Sequence, residues 1–413
     1  MKLSRKMIHT LLARIQSGHI ELRETYRGGK RLNFGDPFSE RRAVVEIHDP
    51  EVYSRLVRSK SIALGTTYAE ELWDSPDVLA FLKIITREVG RGDSLRQRFA
   101  PVLAPFQRLG SLKMLNTKSG ARENIASHYD AGNDMFELFL DAEYMMYSCA
   151  YFEHDGQSLE EAQTARLERI CEQLELRPDD HLLEIGSGWG GLAVHAAKRF
   201  GCKVTTTTIS REQLDYCRKQ VREAGVEDRV TVLGSDYRDL TGSYDKLVSI
   251  EMIEAVGWEW FDTYFRKCSK LLKPDGLFFL QAIVVDDAIY ETEKRTRSFA
   301  NELIFPGGCL PSVNAIQNSI ANETDLRTIE LEDISTSYVR TLNEWKRRFE
   351  ANEEQIAELG YDENFRRLWR LYMAMSAAGF SVARIRDVQM VFAKPRYESQ
   401  IPDRPGVEVA AAA

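Results

Sequence analysis

From about residue 116 to Lys394 the chain alternates short apolar runs with amphipathic stretches. The runs His181–Ile185, Lys203–Thr208, Val230–Leu233, Lys246–Ile250, Leu277–Ile283 and Val388–Phe392 have the length and composition of buried strands. Between them, Leu192–Phe200, Ser210–Ala224 and Trp260–Leu271 carry helical spacing. This alternation predicts a doubly wound parallel α/β sheet, whose ligands bind at the carboxyl ends of the strands. Between the fifth and sixth predicted strands lies an insertion rich in aromatics and arginine, from Asp286 to Arg370, placed to roof that edge. Residues 1–90 read as a smaller α/β unit. Ile20–Tyr26 and Ala43–His48 alternate like strands, and Pro50–Arg58 and Pro76–Val89 like helices, with no titratable cluster or catalytic constellation.

The most chemically informative stretch is Leu182 to Gly191, where an apolar run ends in Glu184 and breaks into glycines. A strand turning into a helix through glycines lets backbone N–H groups approach a ligand closely, at the positive end of the helix. Gly186, Gly188 and Gly191 also satisfy the dinucleotide fingerprint, so the glycines alone do not name the ligand. A nicotinamide site needs a carboxylate at the end of the second strand. Here that strand ends at Thr208 without one, and Gln213 follows. The acid instead precedes the first glycine, where it can meet an amino group. An amino-acid-bearing nucleoside, S-adenosylmethionine, fits this arrangement better than a pyrophosphate.

At 413 residues two domains are expected, and a net charge of −8 argues against a dedicated nucleic-acid binder. Six scattered cysteines, with no CxxC pair, read as reduced thiols of a cytoplasmic protein and not as a metal site. The N-terminus has no uninterrupted apolar segment, so contact with a membrane is expected to be peripheral. Residues 91–118 interleave six basic residues with apolar ones. They are read either as a segment lying on an anionic membrane or as a linker helix with solvated arginines. The tail from Tyr397, ending in four alanines, is expected to be disordered.

Several segments together resemble the cyclopropane-fatty-acyl-phospholipid synthase family. They are His128–Asp134, Met146–Phe152, Glu184–Gly191, Glu251–Gly257, Leu280–Ile283 and Ile304–Ser312, in order from about 115 to 394. The resemblance implies a class I methyltransferase sheet over 119–396 with an accessory N-terminal domain. It also implies methyl transfer from S-adenosylmethionine to a cis double bond of a phospholipid acyl chain. The resulting cation loses a proton to bound bicarbonate and closes a cyclopropane ring. Some relatives instead form a 10-methylene product from the same cation. A homodimer is compatible with the resemblance.

Carried over residue by residue, the bicarbonate cage is Glu254, Gln281, Tyr338 and the backbones of Cys149 and Ile283, with Glu254 sharing a proton with the ion. Gln281 stands where many members carry His; it can donate a hydrogen bond but cannot relay a proton. For the cofactor, the resemblance places Tyr129 and Ser148 over the methionine end and Gly186 and Gly188 beneath it. Thr208 and Gln213 border the ribose, and Asp236 or Tyr237 the adenine. Two other classes stay open: a methyltransferase for a small amine or sterol-like acceptor, and a non-catalytic lipid- or partner-binding protein that keeps the cofactor site.

Overall fold

The computed structural model describes residues 2–91 and 132–398. Tyr129, nearly all of the basic-apolar segment and the tail beyond Glu398 lie outside the described residues. The N-terminal sheet has four strands, β1 (His19–Glu24), β2 (Lys30–Gly35), β3 (Arg42–Ile47) and β4 (Trp73–Asp74), in the order β2-β1-β3-β4. Strand β1 pairs antiparallel with β2 and parallel with β3. Its alternation points Ile20, Leu22 and Glu24 inward.

The buried Glu24 corrects the expectation that this unit holds no titratable cluster. Arg5 clasps the carboxylate with two bonds at 2.5 and 2.6 Å, and the hydroxyls of Tyr53 and Tyr26 donate at 2.7 and 2.9 Å. Burial alone raises the Glu24 carboxyl, but these donors outweigh it and hold it at about 2. The cluster ties helix Lys2–Leu12 to β1 and to helix Glu51–Ala69. Its role is structural: four donors from three side chains converge on the carboxylate.

The larger sheet contains β5 (His181–Ile185), β6 (Lys203–Thr207), β7 (Val230–Leu233), β8 (Tyr244–Ile250), β9 (Leu272–Val285), β10 (Arg327–Asp333) and β11 (Ile385–Ala393). Their order is β10-β11-β9-β8-β5-β6-β7. Strands β5 to β9 run parallel, and β11 is antiparallel to both β9 and β10. The sheet is therefore mixed, which corrects the wholly parallel expectation. Val388–Phe392 lies in the seventh strand; the sixth is β10, inside the insertion. Strand β10 escaped notice because it is an exposed edge strand in which only Thr328 and Glu332 are partly covered. Its apolar face is only Ile329 and Leu331, both left exposed, which is too short a pattern to mark a strand.

Chain order explains where a ligand can sit. From β5 the sheet grows outward through β6 and β7, whereas β8 and β9 grow the other way. The crossover connections diverge between β5 and β8 and leave a crevice beyond their carboxyl ends. Glu184 and Glu251 sit on its two sides. Helix Glu363–Ser381 joins the two sheets' layers: Arg367 donates to the Tyr68 carbonyl at 2.7 Å and pairs with Asp74 at 3.1 Å.

Candidate active site

The β5 turn is shaped by backbone geometry. Gly186 has φ +100°, a conformation that strains any residue with a Cβ, and its N–H bonds the Thr207 carbonyl at 3.0 Å. Gly191 opens the following helix against the Met146 sulfur and the Tyr144 carbonyl, where a Cβ would stand only 2.6 Å from each. Ser210 caps the next helix by accepting from the Gln213 N–H, and the Gln213 side chain accepts from Thr208 at 2.8 Å. These contacts bring Glu184, Gly186, Gly188, Thr208 and Gln213 to one wall of a cavity of about 440 Å³. Asp236 and Tyr237 line it too, although the Asp236 carboxylate is held by the Arg238 guanidinium at 2.7 and 2.8 Å. Glu184 is 4 % exposed, and among the described residues its Oε2 has no hydrogen-bond partner. Burial pushes its carboxyl up to about 8, against the opposing pull of Thr206 and Arg166.

The opposite wall carries a buried carboxyl cluster. Glu251 Oε1 accepts from the Cys149 N–H and from Gln281 Nε2, both at 2.8 Å, and its Oε2 accepts from the Tyr338 hydroxyl at 2.5 Å. Gln281 Nε2 also donates to Asp387 at 3.0 Å, while its Oε1 accepts from Gln389 at 3.1 Å. The β9–β11 register sets this up by pairing Gln281 with Gln389 and Ile283 with Asp387. Glu254 accepts from the Ile283 N–H at 2.5 Å. Burial, reinforced by the Glu251 charge, raises the Glu254 carboxyl to about 8, and burial holds Asp387 well above the carboxylate range. Arg166, fully buried, faces the same group and donates to the Ser148 hydroxyl at 2.7 Å.

Comparison with known proteins decides what this crevice belongs to. The family model described as mycolic acid cyclopropane synthetase matches residues 116–390. The chain belongs to that family. It is 35% identical over 370 residues to the cyclopropane-fatty-acyl-phospholipid synthase of Escherichia coli, covering 89% of this chain and 91% of the relative. It is also 35% identical over 378 residues to the tuberculostearic acid methyltransferase UfaA1 of Mycobacterium tuberculosis, covering 89% and 87%. Among solved structures, the mycolic acid cyclopropane synthase CmaA1, complexed with SAH and CTAB, superposes with a TM-score of 0.62 at 30% identity. That match covers 66% of this chain and 98% of the other.

As a member of the cyclopropane synthetase family, the chain is an S-adenosylmethionine-dependent lipid methyltransferase with a class I methyltransferase fold. The first wall of the cavity suits that cofactor: the orphaned Glu184 oxygen is an acceptor awaiting an ammonium group. Ser148, Tyr338, Glu254 and Ile283 also line the cavity, whereas Cys149 and Gln281 lie behind Glu251 and are 0% exposed. The residues do not fit a bicarbonate ion, because the donors expected to hold it already bond protein carboxyl groups. Sequence reasoning missed three members of the cluster, Glu251, Asp387 and Arg166. For Glu251 a signal existed, since two acids three apart directly follow a strand. Asp387 and Arg166 reach the site only through tertiary pairing.

Of the aromatics, Phe305 and Tyr372 line the cavity. Tyr264 and Phe265 are fully buried core residues, and Trp345 packs on Tyr147 with ring centroids 5.2 Å apart. Phe299 covers Gly65 of the N-terminal unit.

Proposed function

We propose that this methyltransferase acts on cis double bonds in the unsaturated acyl chains of membrane phospholipids and forms cyclopropane fatty acids. The observation that carries this reading is the continuity of one cavity. It runs from the Glu184–Gly188 wall to an apolar wall built by Tyr147, Leu342, Phe305, Tyr372 and Phe380. When bound, S-adenosylmethionine supplies an electrophilic methyl carbon. Glu184 pairs with its amino group, Gly186 and Gly188 allow close approach, and Ser148 borders the methionine end. Thr208 and Gln213 border the ribose, and Asp236 and Tyr237 the base. The apolar wall holds the alkene against that methyl carbon and excludes water, which a weak carbon nucleophile requires.

Access from a bilayer is proposed to be peripheral, from the cytoplasmic side. No helix among the described residues is long and apolar enough to cross a membrane. Helix Lys2–Leu12, however, leaves Leu3 72%, Met7 46% and Leu11 59% exposed at helical spacing, beside Lys2 and Lys6. Such a stripe can lie at the boundary of headgroups and acyl chains.

The test incubates the protein with methyl-labelled S-adenosylmethionine and vesicles of unsaturated phospholipid, then analyses fatty acid methyl esters by mass spectrometry. Label in a cyclopropane ester supports the reading, and absence of any labelled acyl product defeats it. A second product reading, a methylene or methyl-branched acid, is favoured by the equal identity to a relative named for tuberculostearic acid. Fragmentation of the same esters separates the two.

A further inference from the structure

A small anion bound in this site would need donors, and those donors are engaged by the chain itself. The Cys149 N–H, the Gln281 amide and the Tyr338 hydroxyl all converge on Glu251. Cys149 and Gln281 are fully buried and absent from the cavity wall, whereas Glu251 lines it. An ion entering from the cavity would therefore meet the Glu251 carboxylate before it met the Cys149 and Gln281 donors, and the Tyr338 hydroxyl on the wall already donates to Glu251.

The backbone at this position points the same way. Glu251 has φ +45°, pinned by its N–H bond to the Gln281 carbonyl at 2.8 Å. A non-glycine residue in this left-handed region is strained, and such strain concentrates at functional sites. Glycine would adopt the turn without it, so the side chain is present in spite of a local cost. Charge balance then places the anion. Arg166 faces Glu251 and Asp387. Burial raises the Glu251 carboxyl, against the opposing pull of Tyr338, the Cys149 N–H, Arg166 and Gln281. Glu251 accepts three hydrogen bonds, more than either Glu254 or Asp387. Donors of this kind favour the charged form.

We infer that Glu251 is the built-in base of this enzyme, its carboxylate taking the proton in place of an exchangeable inorganic anion. The inference rests on the acyl-alkene reading above. Once an alkene carbon has bonded to the transferred methyl, the neighbouring carbon is electron-deficient. A C–H bond of the new methyl breaks, and its electron pair forms the C–C bond that closes the ring. The proton ends on a Glu251 oxygen and leaves to water with product release. One proton is released per turnover, which balances the positive charge lost from the sulfonium. The same base serves a methylene product if a hydride first shifts from the methylated carbon to its electron-deficient neighbour, so that loss of a methyl proton then forms C=CH2.

The experiment compares the full-length protein on unsaturated phospholipid vesicles in carbonate-stripped buffer with and without added bicarbonate. Labelled ester and S-adenosylhomocysteine are both measured. The wild-type rate is expected to be the same in both buffers. Glu251→Gln is expected to lose about 100-fold or more, the scale of a lost general base, while still binding S-adenosylhomocysteine by calorimetry. Glu251→Gly vacates the donors, and added bicarbonate is expected to restore part of its rate. A wild-type rate that collapses without bicarbonate and returns with it overturns the inference alone, as does full activity of Glu251→Gln in stripped buffer. A wild-type protein that labels no acyl chain in either buffer removes the acyl reading, and the inference with it. The wild-type comparison decides even if a variant fails to fold.

Discussion

Cofactor binding should titrate with Glu184. This carboxyl is raised by burial to about 8, so most of it is protonated at neutral pH in the free protein. An ammonium group docking on Oε2 requires the ionised form, and binding below that pH must first expel a proton. The apparent dissociation constant then scales with one plus ten raised to (8 − pH), about 2 at pH 8, about 11 at pH 7 and about 100 at pH 6. Affinity for S-adenosylhomocysteine should rise close to tenfold per unit between about pH 6 and 7 and level off above about 8. Calorimetry in two buffers of different ionisation heat should show close to one proton released per ligand at the acid end. Glu184→Gln keeps the shape but not the charge. It should flatten the profile and bind about tenfold to a hundredfold more weakly than wild type above pH 8, the worth of a charged hydrogen bond. The free protein moves the opposite way: the raised folded value means the native state holds an extra proton between 4.5 and about 8, and stability falls as pH rises through that window. A wild-type affinity flat from pH 6 to 8, or an equal slope in Glu184→Gln, refutes the assignment.

Glu254, also raised to about 8 by burial and then by Glu251, is destabilising when ionised, so its contribution worsens as pH climbs from 4.5 through 8. Thermal melts should show Glu254→Gln gaining on wild type across that range, by at most about 5 kcal/mol. Glu24→Ala leaves Arg5, Tyr26 and Tyr53 without their shared acceptor and should cost about 3–5 kcal/mol in urea unfolding. Replacing Leu3, Met7 and Leu11 together with glutamate should cut vesicle co-sedimentation by about tenfold or more without lowering Tm, since all three are exposed. Gly191→Ala drives a methyl into Met146 and the Tyr144 carbonyl; it should lose about 1–3 kcal/mol of stability and weaken cofactor binding in the same calorimetric assay.

By itself the sequence determined the parallel half of the large sheet and the cofactor wall. Central parallel strands are buried on both faces, so β8 and β9 are spelled as apolar runs. The turn after β5 was equally legible, because Glu184, Gly186 and Gly188 are neighbours along the chain and act through local backbone geometry. Only the tertiary structure decided the second wall. Glu251 meets Cys149 across 102 residues, and Gln281 meets Asp387 across 106. No periodicity records such a meeting, because it depends on the register of an antiparallel strand pair and on a helix that delivers Arg166 from outside the sheet. Strand β10 was hidden for the complementary reason: as an exposed edge it carries only Ile329 and Leu331 in alternation, too few to mark a strand. Residues expected to surround an ion turned out to surround a side chain, since hydrogen-bond donors buried in a low-dielectric cleft take the acceptor that the fold places nearest.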